Sequence, residues 1–142
     1  FKLERLDLCC FCHRVPKEIS QIKNIKKLVI NIGGIDGTLP KEIKYFKHLE
    51  DLNLGITYLK KIHPNLYKLK KLRNLDLTGN FFNDIPKGIS NLKNLEELNL
   101  GLYCGKLPND IIQLKKLNRL KLEFLDNFTS EQKEWFDKFK KI

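Results

Sequence analysis

Leucine and isoleucine recur along this chain in a fixed pattern, apolar-x-x-apolar-x-apolar, which appears six times. The six copies begin at Leu3, Ile25, Leu49, Leu72, Leu95 and Leu117, so successive starts lie 22 to 24 residues apart. Apolar residues at alternate positions are typical of a short strand with one buried face. The pattern therefore predicts six short strands that present the same side to a common core.

A second pattern keeps a constant distance from the first. Nine residues before each later start there is a Pro (Pro16, Pro40, Pro86, Pro108), except once, where His63 takes the place and Pro64 follows. Apolar residues come three and six positions later, which is the spacing of one face of a short helical turn, α or 3₁₀. Because one such unit cannot bury both apolar faces, we predict stacked units that share a continuous core.

These two patterns resemble the leucine-rich repeat family, most closely over residues 72–94, LRNLDLTGNFFNDIPKGISNLKN. That stretch is similar to the short Leu/Pro-type repeat of bacterial members, and the richness in Lys, Asn and Ile also favours a bacterial source. The resemblance covers residues 3 to about 124. It implies an α/β right-handed solenoid with a curved parallel sheet on the concave face and short helices or 3₁₀ turns on the convex face.

The chain departs from the family just past its strands. An Asn is expected there, but only Asn80 occupies the place, and Gly33, Thr57 and Tyr103 stand at the corresponding positions. We therefore expect the family's ladder of buried Asn side chains to be mostly missing.

The two ends of the chain lead to different expectations. Residues 125–142 are predicted to form a cap on a solenoid of residues 1–124, with a helix over 130–141 whose N-cap is Thr129 or Ser130. Its apolar positions are Phe128, Trp135, Phe136, Phe139 and Ile142.

At the other end residue 3 already begins a repeat, so the first strand is expected to be an uncovered edge. Either upstream residues cover that edge or the chain self-associates through it.

The chain contains no Met and begins at Phe1, which suggests a processed, trimmed or partial chain. This is compatible with a secreted or cell-surface bacterial protein whose targeting segment has been removed. No apolar run approaches the roughly 18 residues that a transmembrane helix needs.

One short motif contains residues that could bind haem or a metal ion. Cys9-Cys10-Phe11-Cys12-His13 matches the attachment sequence of c-type haem, but no Met is present as a sixth ligand and a close-packed solenoid has no cavity of that size. Zinc at Cys9, Cys12 and His13 would lack a nearby fourth ligand. A Cys–Cys bridge or buried thiols are favoured, so we predict no cofactor and no metal, and the state of Cys104 stays open.

No catalytic arrangement stands out. His13, His48 and His63 lie far apart in the repeat register, and neither a Ser–His–Asp order nor a phosphate-binding Gly loop occurs. Adjacent acids such as Glu96 and Glu97 point to opposite sides of a strand. We therefore predict a binding protein without enzymatic activity.

The net charge of +10 is unevenly distributed. The eight-residue windows at the six repeat starts contain 6 Lys and Arg and 8 Asp and Glu, so the remaining segments carry a net +12. Alternation exposes the third, fifth and seventh residues of each repeat on the concave face. We predict that the binding residues there are Asp51, Asn53, Asn74, Asp76, Glu97, Asn99 and Lys121.

The predicted function is recognition of a protein or peptide on that polar, mildly acidic face, which lacks large aromatic anchors. The alternative is a polyanion (nucleic acid, acidic glycan or anionic membrane surface) bound by the lysines of the convex side. Nucleic acid is disfavoured because these lysines lack interleaved aromatic residues and Arg. A third interpretation is that the polar strand residues are merely solvated.

Overall fold

The computed structural model describes residues 2–9, 17–31, 38–39, 41–102, 105–123 and 128–139. The predictions that concern Cys10, Cys12, His13, Gly33, Tyr103, Cys104 and Ile142 fall outside the described residues, and so does the side chain of Cys9.

In the described part of the chain, six parallel strands form one sheet in the order of the sequence. They are β1 (Arg5–Cys9), β2 (Lys27–Asn31), β3 (Asp51–Asn53), β4 (Asn74–Asp76), β5 (Glu97–Gly101) and β6 (Arg119–Leu122). The repeats are in register, with Leu28 opposite Leu52, Leu52 opposite Leu75 and Leu75 opposite Leu98. Parallel neighbours in chain order require each connection to return along the other side, which makes the chain a solenoid.

Short 3₁₀ helices form the return segments. They are η1 (Lys17–Gln21), η2 (Lys41–Tyr45), η3 (Pro64–Lys68), η4 (Ile89–Asn91) and η5 (Asn109–Gln113). This resolves the choice between α and 3₁₀ that the sequence left open. At the one repeat without Pro in the usual place, His63 is the N-cap and its Nδ1 accepts a hydrogen bond from the backbone N–H of Asn65 at 3.1 Å. Pro64 then takes the first helical position, where its missing N–H costs nothing.

Both apolar faces of the repeats meet in one core, as the spacing predicts. Strand residues such as Leu52 and helix residues such as Leu66 have no exposed surface. At the N-terminal edge the equivalent Leu6 and Leu8 are only partly buried. Self-association through this edge stays a prediction.

One buried polar connection ties the third and fourth repeats together. The Asn80 side chain accepts a hydrogen bond from the Leu59 N–H at 2.9 Å and donates to the carbonyls of Leu54 at 2.8 Å and Leu77 at 2.9 Å. The hydroxyl of Thr57, the residue in the same register, lies 2.9 Å from Asn80 Oδ1 and 2.8 Å from the Leu54 carbonyl. Thr57 therefore partly replaces the missing Asn, sharing its one proton between two acceptors.

A carboxylate makes a second connection between repeats. Asp110 Oδ2 accepts hydrogen bonds from the backbone N–H groups of Gly88 at 2.9 Å and Ser90 at 3.1 Å. Burial alone would raise the pKa of Asp110, but the hydrogen bonds from Ser90 and Gly88 outweigh it and lower the pKa.

The C-terminal helix α1 (Ser130–Phe136) continues into the 3₁₀ turn η6 (Asp137–Phe139). It is shorter than the predicted 130–141 because its last turn tightens to 3₁₀ geometry, which is common at helix ends. Thr129 is the N-cap and forms a capping box with Gln132, whose Nε2 also donates to the Leu107 carbonyl at 3.0 Å. Phe128, Trp135 and Phe136 are buried, so the helix packs its aromatic side on the last repeat.

Candidate recognition face

The seven residues that the sequence singles out lie together. Asp51, Asn53, Asn74, Asp76, Glu97, Asn99 and Lys121 line one shallow depression across β3 to β6, and Arg119 lines it with them. Its volume is about 230 Å³, below the roughly 300 Å³ at which pockets for drug-sized ligands begin. A site of this shape suits side chains projecting from a macromolecule. We call this surface the strand face.

Ion pairs neutralise the two ends of the strand face. Lys27 Nζ lies 2.8 Å from Asp51 Oδ2, and Arg119 Nη1 lies 2.9 Å from Glu97 Oε1. Asp76, between them, has no cation within 4.0 Å among the described side chains. The acidic character of the face is therefore concentrated at Asp76.

In each central repeat, the side chain of the fifth residue accepts a hydrogen bond from the backbone N–H two residues later. Asn53 Oδ1 accepts from the Gly55 N–H at 2.8 Å, and Asp76 Oδ1 accepts from the Thr78 N–H at 2.9 Å. Asn99 repeats this bond and also donates to Asp76 Oδ2 at 3.3 Å. Side chains fixed in this way lose little conformational entropy when a partner binds.

A second row of charges lies at the amino ends of the strands. Arg73 Nη2 is 2.8 Å from Glu96 Oε2, and Lys26 Nζ is 3.2 Å from Glu4 Oε1. The hydrogen bond from Arg73 lowers the pKa of Glu96. Glu96 and its neighbour Glu97 thus have separate partners, Arg73 and Arg119, which agrees with the expectation that adjacent acids do not act as a pair.

Large apolar side chains lie exposed at the carboxyl ends of the central strands, beyond the strand positions for which the sequence predicts no aromatic anchors. We call Ile56, Tyr58, Phe81 and Leu102 the apolar rim; they are 63%, 45%, 64% and 65% exposed. The rings of Tyr58 and Phe81 are stacked with centroids 5.6 Å apart and planes inclined by 17°. Both stand at the tenth position of their repeats, so aligning the repeats could have found the pair.

The backbone of the apolar rim has an unusual conformation. Ile56 and Tyr58 both have φ of 56°, in the left-handed region. Gly79 occupies the register position of Ile56 in the next repeat and has φ of 68°. A β-branched residue is rare in this region, whereas Gly enters it freely. The chain therefore keeps an exposed isoleucine where the neighbouring repeat relieves the strain with Gly.

Gly55 connects the strand face to the apolar rim along the chain. A Cβ placed on Gly55 would lie 3.1 Å from Asn53 Oδ1 and 3.7 Å from Asp76 Oδ1, and Gly55 directly precedes Ile56. Glycine at position 55 therefore adds no side chain beside Asn53 and Asp76.

Two other kinds of site are absent from the described ranges. No group of three or more His, Cys, Asp or Glu side chains there is arranged to hold a metal ion. No described helix has the length and apolar character to cross a membrane.

Comparison with known proteins gives the same architecture. Residues 5–141 match the family described as a leucine-rich repeat region. No curated protein matches the chain.

Several solved structures are similar. An internalin from Listeria monocytogenes has a TM-score of 0.62 and 20% identity, over 82% of this chain and 35% of that one. The ectodomain of the plant membrane receptor kinase GASSHO1/SCHENGEN3 from Arabidopsis thaliana, solved in complex with CASPARIAN STRIP INTEGRITY FACTOR 2, has a TM-score of 0.66 and 26% identity, over 82% and 14%. The ectodomain of the receptor kinase SOBIR1 from Arabidopsis thaliana has a TM-score of 0.59 and 27% identity, over 77% and 61%. This chain spans less than two thirds of each of them.

Proposed function

This chain belongs to the leucine-rich repeat family, and from that premise we propose that it is a recognition module that binds a polypeptide across its strand face and apolar rim. The observation that carries the proposal is the strained, exposed Ile56 beside the stacked Tyr58 and Phe81. Strain of this kind costs roughly 1–3 kcal/mol per residue and is concentrated at functional sites. An exposed side chain contributes little to folding, so binding is the best reason to keep it.

The chemistry of the two surfaces indicates the partner. Asp76 offers a carboxylate that no described cation neutralises, and the apolar rim offers stacked rings and two aliphatic side chains next to it. Aromatic anchors commonly carry much of the energy of a protein interface. The partner that fits is a polypeptide with a Lys or Arg side chain close to an aromatic or aliphatic one.

The remaining residues of the strand face support this role as polar contacts. Asn53, Asn74 and Asn99 are half-buried and line the depression beside Asp76. Asp51 and Glu97 already have cationic partners, so they contribute shape and hydrogen-bond acceptors more than net charge. At the far end Arg119 is paired with Glu97, so Lys121 supplies the positive charge there.

A selection from a random peptide display library tests the proposal. Wild-type protein is the bait, and the peptides it enriches are sequenced and their affinities measured. We expect enrichment of a basic residue within a few positions of an apolar one. Asp76→Asn should weaken the binding of the enriched peptides by roughly tenfold to a hundredfold, since a hydrogen bond to a charged group contributes about 1.5–3 kcal/mol. Enrichment of acidic peptides would refute the proposal.

Ile56→Gly separates binding from folding. Because Gly relieves the left-handed strain of about 1–2 kcal/mol while its flexible unfolded chain costs about 0.5–1 kcal/mol, we expect an unfolding free energy equal to or slightly above that of the wild type. We expect weaker peptide binding at the same time. Glu18→Gln, an exposed substitution in the return segment η1, is the matched charge control and should leave affinity unchanged. Equal affinities for all three variants would exclude the strand face and the rim as the site.

A further inference from the structure

Every turn that leads into a strand from the second to the sixth repeat contains a Lys at the same register position, two residues before the repeat begins. We call Lys23, Lys47, Lys70, Lys93 and Lys115 the lysine column; all five are exposed. Neighbouring parallel strands lie about 4.8 Å apart, so the stacking of repeats places these ammonium groups in a line along the solenoid. Lys71 and Lys116 directly follow two of the column lysines in the sequence and are also exposed.

The charge of the lysine column is not compensated. Among the described side chains, no carboxylate lies within 4.0 Å of a column ammonium group. Lys70 Nζ instead donates to the carbonyls of Tyr67 at 3.1 Å and Asn91 at 3.2 Å, and Lys71 Nζ lies 3.2 Å from His48 Nδ1. The strand face pairs most of its charges internally, whereas this edge keeps its positive charge available.

The amino-terminal part of the column, from Lys23 to Lys70, lines a groove. Two depressions adjoin there and share Tyr45 and Lys47; one is also lined by Lys23 and His48, and the other by the lysines 44, 68, 70 and 71. Tyr45 is 48% exposed, with Lys44 Nζ 5.0 Å from its ring centroid. Tyr45 lines both depressions, and lysines line both of them with it.

We propose that this groove, together with the lysine column that continues beyond it, binds a linear acidic glycan that carries sulfate or carboxylate groups. This site is independent of the polypeptide site on the strand face. A line of unpaired cations with one charge per repeat fits an extended chain of anions. An anionic membrane surface is better matched by a broad basic patch beside an apolar segment that can insert.

The residue types favour a glycan over nucleic acid. The column contains Lys and no Arg, and Arg is the basic residue whose planar guanidinium group stacks on bases. Single-stranded nucleic acids are bound by several aromatic side chains on which successive bases stack. Two exposed rings line this groove, Tyr45 and His48, and each has an ammonium group beside it, from Lys44 and Lys71 respectively. The lysines that line the groove outnumber these rings, so anion contacts dominate.

The salt dependence of heparin binding tests the proposal. A fluorescently labelled heparin oligosaccharide is titrated with the protein at several NaCl concentrations, using the wild type and the triple variant Lys47→Ala, Lys68→Ala, Lys71→Ala. This variant leaves the backbone hydrogen bonds of Lys70 intact. Each lysine that neutralises a polyanion charge contributes about 0.7–0.9 to the magnitude of the slope of the log binding constant against the log NaCl concentration. Loss of three lysines should therefore reduce the magnitude of this slope by about 2 and lower the affinity by tenfold or more.

The matched control is Lys60→Ala, Lys61→Ala, Lys87→Ala, which removes the same charge from exposed positions beyond the carboxyl ends of the strands. At physiological salt charges are screened over about 8 Å, so the control should keep the wild-type slope within about 0.3. Circular dichroism spectra of both variants are compared with that of the wild type to check that the variants are folded.

Three results would overturn the proposal. If both triple variants lose affinity equally, heparin responds only to net charge. If single-stranded DNA of matched charge binds as tightly as heparin with the same dependence on the column, the ligand is nucleic acid. If vesicles with anionic lipid bind and heparin does not, the surface is a membrane contact. Asp76→Asn should leave heparin binding intact, so failure here is distinguishable from failure of the polypeptide site.

Discussion

Asn80 connects the third and fourth repeats, and its removal tests how much a single rung of the Asn ladder contributes. In Asn80→Ala the Leu59 N–H and the carbonyls of Leu54 and Leu77 lose their side-chain partner, together with the contact to the Thr57 hydroxyl. A typical intramolecular hydrogen bond contributes about 0.5–1.5 kcal/mol net, so the loss of these bonds should destabilise the fold by about 3 kcal/mol.

Urea denaturation followed by the fluorescence of Trp135, the only Trp of the chain, measures the effect. At an m value of about 2 kcal/mol/M, the midpoint should fall by roughly 1.5 M. Asn91→Ala is the control, because Asn91 is exposed and its Nδ2 donates only to the Gly88 carbonyl, at 3.0 Å. It should cost about 0.5 kcal/mol.

The contact between Thr57 and Asn80 gives a second reading. Thr57→Val removes the buried hydroxyl, and the double variant should be destabilised by less than the sum of the single variants, by about 1 kcal/mol, because residues in one hydrogen-bond network are not additive. An Asn80→Ala variant no less stable than Asn91→Ala would refute the reasoning.

Three further substitutions have defined outcomes. Gly101→Ala should lower the unfolding free energy by about 1–3 kcal/mol, because its φ is 56° and its Cβ would lie 2.8 Å from Thr78 Cγ2; adding Thr78→Ser should recover only the steric part. Thr129→Ala should cost about 1 kcal/mol in thermal or urea denaturation and Thr129→Ser much less, since Ser also caps well. The folded pKa of Asp110 is lowered, so its stabilisation is present above the unfolded pKa of about 3.9 and is lost as the pH falls through the folded value. The difference in urea midpoint between the wild type and Asp110→Asn should therefore shrink between pH 6 and about pH 2.5.

Much of the fold follows from the sequence because repetition makes each residue informative about its equivalents. Leu52 and Leu66 could be placed in the core from spacing alone. The ion pairs of the strand face could also be found in this way, since Lys27 and Asp51 hold the same register position in neighbouring repeats, as do Glu97 and Arg119.

The spacing of apolar residues does not reveal which backbone conformations and helix caps individual repeats adopt. Ile56 reads as an ordinary apolar residue, and its left-handed backbone becomes informative only beside Gly79 in the same conformation. The role of His63 as an N-cap depends on the orientation of its ring toward the Asn65 N–H. Whether a return segment is α or 3₁₀ depends on packing, since one apolar face fits both.

The central claim is that the strand face and apolar rim bind a polypeptide. It is tested most directly by titrating isotopically labelled protein with the tightest peptide from the display selection and following backbone amide chemical shifts by NMR. We expect shifts at Asn53, Asp76 and Asn99, and at Tyr58 and Phe81 on the rim. Shifts confined to the return segments or to the lysine column, with the strand face unchanged, would contradict the account.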